Sequence, residues 1–188
     1  ILDKLAAEGV RFANFYSNSS WTRPGFASIF TGRYARSVGI YEERFDRLPE
    51  DVTTLTEHLQ TQGYLTLGVT SNPNTNQIFG FAQGFDDYRD SVANWKWMAE
   101  AATKPMVGDG KAPHETAAEV NQRVGELLDA HAEAITQQPF FLHLVYMEPH
   151  TPRYPSERHL KALQAEAMAL NPPLGRSKVV RKYDAELR

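Results

Sequence analysis

Thr22 lies in the stretch Trp21-Thr22-Arg23-Pro24-Gly25-Phe26-Ala27-Ser28-Ile29-Phe30-Thr31-Gly32, a hydroxyl placed where a short helix should begin. Pro24 suits a first helical turn, where its missing N–H costs nothing. Ala27 to Phe30 continue the turn, and Gly32 supplies a stop. The spacing puts Thr22 or Arg23 at or just before the N-cap, beside unsatisfied backbone N–H groups and the positive end of a helix dipole. Such a place holds anions, and a hydroxyl there is positioned to attack one. An ordinary threonine helix cap with no chemistry has the same pattern.

The second reactive group is His150, in Tyr146-Met147-Glu148-Pro149-His150-Thr151-Pro152-Arg153-Tyr154. This segment follows the apolar run at 140–146, which predicts a central, buried parallel strand. The C-terminal ends of such strands are where α/β proteins gather their sites. A histidine there offers a hydrogen-bond donor, or a general acid once protonated. The plainer alternative is a histidine capping a proline-rich turn. Glu148 could support a metal site or be a solvated loop charge.

Alternating elements must carry these groups. Residues 1–9 are expected to be helical, with Leu2, Leu5 and Ala6 on one face. The alternation over 10–16 suits a strand, and a short helix follows at 24–31. A helix is expected over 53–62 with Leu55, His58 and Leu59 on one face, then a buried strand over 65–70. Asn72 to Asn76 form a loop, and 79–85 an aromatic, glycine-rich packed loop. The strongest helical pattern runs over 116–137, with Val120, Val124, Leu127 and Leu128 in register. Pro139 ends it before the strand at 140–146, and another helix is expected at 156–169. Helix and strand in this order predict an α/β layered fold in one domain over 1–188, with helices on both faces of a mostly parallel sheet.

Composition narrows the function. The chain of 188 residues is 41% apolar and 11% aromatic, enough for one core. A net charge of −3 with scattered Lys and Arg gives no basis for nucleic-acid binding. No apolar run is long enough to span a membrane. The absence of cysteine excludes disulfides, thiolate catalysis and cysteine zinc sites, and leaves the compartment open. The chain starts at Ile1 rather than Met, which suggests processing or truncation. The other histidines (His58, His114, His131, His143 and His159) fit packing or solvated roles. Trp95 and Trp97, flanking Lys96, could line a substrate rim but fit core or lid packing better.

The segment around Thr22 resembles the nucleophile signature of the sulfatase family, within the alkaline phosphatase superfamily. There a Cys or Ser, later oxidised to formylglycine, precedes a residue, a Pro, another residue and an Arg. A helix ending in Thr-Gly-Arg-Tyr follows. Thr31-Gly32-Arg33-Tyr34 matches that end, Pro24 matches the proline and Thr22 falls on the nucleophile position. Residues 2–12 resemble the approach to the motif, His150-Thr151-Pro152 resembles the family's histidine that contacts the ester oxygen or leaving group, and Gly63-Tyr64-Leu65-Thr66 resembles the start of its lysine-bearing strand. Phe85-Asp86-Asp87-Tyr88 resembles a structural element of the family, so neither aspartate is taken as a metal ligand. The resemblance implies an incomplete sulfatase-like α/β/α fold, with Thr22 and His150 catalytic, Arg23 and Asn72 substrate-binding, and Thr22 a ligand of a divalent Ca, Mg, Mn or Zn ion.

The sequence also departs from the family. Threonine cannot become formylglycine, Phe26 stands where the family has its arginine, and Ser71 stands where it has a lysine, with Asn72 beside it. A threonine nucleophile occurs in relatives of the superfamily that cleave or transfer phosphoesters by in-line displacement. A sulfo-threonine lacks the aldehyde exit that formylglycine provides. Chemistry therefore favours phosphoesters or phosphodiesters, while overall similarity stays with sulfatases. Asn72 can donate an amide hydrogen bond to an ester oxygen of low charge, or simply make an Asn-Pro turn.

In the family, an Asp pair on a strand before the first helix and an Asp with His or Asn on a later strand hold the metal. The resemblance places both outside these residues, so the chain alone is expected to bind metal poorly and lack useful activity. Three readings follow: an active ester hydrolase or phosphotransferase in the complete protein, a degenerate sulfatase-like binding module, or an unrelated α/β domain. Substrates of the first would be small-molecule, glycan or lipid esters. Family habit suggests a periplasmic or extracellular place. The oligomeric state is left open.

Overall fold

The computed structural model describes residues 2–41, 46–90 and 115–148, together with 150 and 161. Three parallel strands are ordered β2-β1-β3: β1 (Leu65–Thr70), β2 (Asp87–Asp90) and β3 (Phe140–Val145). The five helices described are α1 (Leu2–Glu8), α2 (Thr22–Thr31), α3 (Leu55–Thr61), α4 (Ala117–Ala130) and α5 (Ala132–Gln137).

Strand alternation sorts side chains to two faces. Leu65, Leu67 and Val69 of β1 join Val120 and Leu127 of α4, with Leu142, Leu144 and Ile135 packed against them. On the other face Phe85 and Tyr88 pack against a core that includes Ala27 and Phe30 of α2, with Ile40, Leu48, Phe79 and Phe81. Gly68 permits this packing, because a Cβ there would lie 2.5 Å from the Tyr88 ring. The helix–sheet–helix architecture expected from the sequence is present.

Capping explains where helices begin. In α3 the Glu57 N–H donates to Thr54 Oγ1 at 3.1 Å and the Thr54 N–H donates to Glu57 Oε2 at 2.7 Å. Thr116 and Glu119 repeat this reciprocal box for α4. Gly32 ends α2 in the left-handed conformation at φ 65°.

Several elements differ from expectation. Residues 10–16 form no strand, and Val10, Phe12, Phe15 and Tyr16 are exposed, because no strand among the described residues pairs with them. In α3, Leu55 and His58 face outward while Thr56 is buried and donates to the Gln83 carbonyl at 2.7 Å. A tight polar contact overrides the apolar spacing there. The helix expected over 116–137 divides at His131, whose Nε2 pairs with Asp87 Oδ2 at 3.1 Å. Among the described strands β1, not β3, is central, and β3 is half-exposed along most of its length. β2 forms from a polar run with no apolar alternation to announce it. Of the helix expected at 156–169 only residue 161 is described, and it is helical; the rest of that helix, the loop at 151–155, Trp95, Trp97, His114 and His159 lie outside the described residues.

Candidate functional site

α2 begins at Thr22 with extended Trp21 as N-cap (φ −115°, ψ 148°), not with Thr22 or Arg23 as cap. Pro24 is still within the first turn, but the chain turns one residue earlier than expected. No side chain caps this helix, so its positive end is not closed off by the N-cap residue. Thr22 is half-buried in the first turn, and no hydrogen bond of its hydroxyl is found among the described residues.

Arg23 points inward and is 1% exposed. Its Nη1 donates to the Asp46 carbonyl and its Nη2 to Asn74 Oδ1, each at 3.1 Å. The guanidinium lies over Phe79, 3.6 Å from the ring centroid. Burial lowers its pKa, opposed by the Asp46 charge; an arginine remains cationic under such shifts. Its located hydrogen bonds thus tie the start of α2 to the chain beyond β1.

That chain is a polar turn. The Asn72 side-chain oxygen accepts from the Asn74 N–H at 2.9 Å, and the Asn72 N–H donates to Thr70 Oγ1 at 3.0 Å. The Thr70 and Thr75 hydroxyls lie 2.6 Å apart, and Thr75 Oγ1 donates to the Asn72 carbonyl at 3.0 Å. The side-chain oxygen of Asn72 is therefore committed to the Asn-Pro turn. Ser71, which by the resemblance stands where a lysine is expected, is wholly buried and joins two strand ends. Its Oγ accepts from the Met147 N–H at 2.7 Å and donates to the Val145 carbonyl at 3.2 Å.

His150 follows immediately. Its backbone N–H donates to the Met147 carbonyl at 2.8 Å, and the residue is exposed. Between them Glu148 accepts from the Ala117 N–H at 2.8 Å, so this carboxylate closes the start of α4 rather than being simply solvated. The C-terminal ends of β1 and β3 and the first turn of α2 thus meet on one end of the sheet. Thr22, Asn72 and His150 all belong to those segments.

Phe26 turns toward the sheet, edge-on to His143 at 5.7 Å between ring centroids. Phe30, Phe85 and Phe141 also surround His143. Burial pushes the His143 pKa down to about 4, and its Nε2 has no hydrogen-bond partner among the described residues. It is a core residue, as expected, but it packs among aromatic rings rather than being satisfied by hydrogen bonds. Asp86 is likewise structural. It accepts from the Thr66 N–H at 2.8 Å, Thr66 Oγ1 at 2.9 Å and Gln60 Nε2 at 2.7 Å. Burial would raise the Asp86 pKa, but these bonds outweigh it and lower the value. Asp87 is held low chiefly by Arg89, with His131 adding to the effect.

Among the described residues no group of three or more His, Cys, Asp or Glu is placed to hold a metal ion. Thr22 alone is not a metal site, so the described residues do not make up a complete one. No helix among the described residues is long and apolar enough to cross a membrane. The motifs marked Ser71 only by its place, not as the joint between strand ends, and they did not reveal Asn74; the Asn-Pro-Asn spacing of an Asx turn was the available signal for Asn74.

The family model described as Sulfatase matches residues 1–188. The chain is similar to an arylsulfatase of Hemicentrotus pulcherrimus, 26% identical over 193 residues, covering 83% of this chain and 33% of the relative. It is also similar to arylsulfatase A of Bos taurus, 46% identical over 70 residues, covering 35% of this chain and 14% of that protein. A solved structure of BT4656 in complex with its substrate, D-glucosamine-2-N,6-O-disulfate, shares the fold with a TM-score of 0.64 at 22% identity, covering 88% of this chain and 32% of that one. The chain spans about a third or less of the length of these relatives.

Proposed function

The chain belongs to the sulfatase family, and from that premise we propose that in the complete protein Thr22 is the nucleophile of a metal-dependent hydrolase or transferase of sulfate or phosphate esters. The observation that carries this reading is the meeting of an uncapped α2 start, bearing Thr22, with the C-terminal ends of β1 and β3. Sulfatases generally use a divalent metal ion; we assign its other ligands to residues outside those described.

The Thr22 oxygen attacks the phosphorus or sulfur of the ester. A bond to Thr22 Oγ forms, the ester bond to the alcohol breaks, and the hydroxyl proton passes to solvent. His150 donates a proton or hydrogen bond to the departing alkoxide. Backbone N–H groups of the first turn of α2 and the Asn72 amide face the anion, and Arg23 adds positive charge close to them. Water or a second alcohol then releases the phosphoryl group from Thr22. Threonine has no aldehyde route for expelling sulfate, so phosphodiesters and phosphate esters are favoured. Small-molecule, glycan and lipid esters are the substrate classes. A periplasmic or extracellular location follows family habit.

A second reading is a degenerate binding module. The burial of Ser71 and the packing of Phe26, at positions where the family carries lysine and arginine, favour it.

The test is turnover by the complete protein, with Mg, Mn, Ca or Zn, of an aryl sulfate, an aryl phosphate, an aryl phosphodiester and a sulfated glucosamine. Phosphodiester turnover that Thr22→Ala abolishes supports the threonine nucleophile. His150→Ala should lower the rate by about 10² to 10⁴. Sulfate turnover in preference to phosphate refutes the chemical argument from threonine. Metal binding with no turnover of any ester favours the binding module.

A further inference from the structure

We propose that Arg23 is a positioning residue. Its buried guanidinium locks the first turn of α2, and with it Thr22, to the turn that ends β1. The inference rests on Thr22 being the nucleophile, and it assigns Arg23 a mode of action other than contact with substrate.

A cation at 1% exposure loses its hydration and needs strong partners inside the protein. Arg23 has them on two segments at once. Nη1 holds the Asp46 carbonyl, Nη2 holds Asn74 Oδ1, and the planar group rests on Phe79 of the core. From Asn74 the connection runs on through hydrogen bonds to Asn72, and from Asn72 to Thr70, the last residue of β1. Thr75 braces the same turn against Thr70. The start of α2 is thus tied to the central strand by a short series of fixed polar contacts, and Thr22 is covalently adjacent to its first member.

The residue type follows from this geometry. A guanidinium carries several donors in one rigid plane, so it can hold two acceptors on different segments and stack on a ring together. A lysine ammonium can replace the charge but not the two-point, planar hold. An apolar side chain of similar size could fill the space, but it would leave α2 free to slide over Phe79. Reaction geometry tolerates little of that, because a misplacement of about 1 Å costs about a hundredfold in rate.

The test uses the complete protein and the ester it turns over best, with Asn74→Ala, Asn74→Asp and Arg23→Lys. Asn74 is only part-buried whereas Arg23 is 1% exposed, so the Asn74 variants are the milder perturbation of the same contact. Asn74→Ala should lower kcat about tenfold to a hundredfold with little change in KM, and Asn74→Asp, which still accepts from the guanidinium, should recover most of that loss. Arg23→Lys should resemble Asn74→Ala. A rise in KM at constant kcat would mean that the Arg23–Asn74 pair touches substrate, and would overturn the proposal. An earlier thermal melt with wild-type kcat would make the contact merely structural, and would overturn it too. If the wild type turns over no ester, the nucleophile reading fails separately. Amide exchange at Gly25, whose N–H donates to the Trp21 carbonyl at the start of α2, and at Asn74, whose N–H donates to Asn72 Oδ1, then decides the clamp. Protection lost in Asn74→Ala supports it, and wild-type amides that exchange freely overturn it.

Discussion

Ser71→Ala should loosen the loop that carries His150. In the native fold Ser71 Oγ accepts from the Met147 N–H at 2.7 Å and donates to the Val145 carbonyl at 3.2 Å. The Val145 carbonyl keeps a second bond from the Ser71 N–H at 2.9 Å, so it loses little. The Met147 N–H loses this partner in a residue that is only 5% exposed. Leaving a buried donor unsatisfied costs about 1–3 kcal/mol, and a value near ~2 kcal/mol multiplies local opening by about 30. The readout is amide hydrogen exchange at Met147 and at His150, whose N–H donates to the Met147 carbonyl. Both should exchange faster in the variant. Thr61→Ala is the control, because its hydroxyl donates to the His58 carbonyl on an exposed turn, and such surface changes stay within about 0.5 kcal/mol. An effect at Met147 no larger than that of the control would refute the argument that one hydroxyl joins the two strand ends.

His143 should make stability depend on pH. Its folded pKa is about 4, against an ordinary value near 6.5. The unfolded chain therefore binds the proton first. Stability is complete above about 6.5 and declines as pH falls toward about 4. His143→Phe suits the surrounding rings and should flatten that decline, as checked by urea unfolding at several pH values in this window. Gly84→Ala should destabilise more than Gly63→Ala. Both glycines have positive φ, 77° and 79°, but a Cβ at 84 would meet the Glu57 nitrogen at 2.4 Å while the space at 63 is open. Thermal melts of the two variants should differ in that order, since the strained backbone is shared and only Gly84 adds the clash. Isothermal titration of Mg, Ca, Mn or Zn into this chain should show no tight stoichiometric binding, given the absence of a ligand cluster among the described residues. A sharp one-to-one isotherm would contradict that.

Where local and tertiary forces agreed, the sequence was legible. The pattern at 65–70 predicted a buried strand at the residues that form β1, and Gly32 marked the end of α2 through its backbone freedom alone. The place of α2 and the packed loop at 79–85 followed from local chemistry and family likeness, and so did the core position of His143, though not its unpaired Nε2. What stayed hidden depends on partners far away in sequence. β2 is polar, and it is a strand because Asp87 to Asp90 pair with Leu67 to Thr70. The break at His131 answers to Asp87, 44 residues earlier. The partial alternation over 10–16 suggests a strand, yet a strand requires a neighbour to complete its hydrogen bonds. For Arg23 the sequence correctly placed a cation beside Thr22. Its inward direction is set by Asp46, Asn74 and Phe79, none of which its local sequence names.

Phe26 and Ser71 bear most directly on the substrate. By the family resemblance they stand where an arginine and a lysine are expected. In three dimensions the two positions have been built into the interior. Phe26 meets His143 edge-on, and Ser71 is fully enclosed between β1 and β3. Restoring lysine at 71 would force an ammonium into a space filled by one hydroxyl and would sever the bond to the Met147 N–H, so the charge cannot simply be returned there. Arg23 keeps a positive charge nearby, but its located hydrogen bonds reach protein acceptors. On the proposed reading, the remaining donors for an anion among the described residues are weaker and mostly neutral: the first-turn amides of α2, the Asn72 amide and, when protonated, His150. Such a set favours an ester with one negative charge over a dianionic group, in line with threonine chemistry at phosphorus. A preference for an aryl phosphate monoester over the corresponding diester, measured as kcat/KM with the metal held constant, would defeat that argument even if Thr22 proved to be the nucleophile.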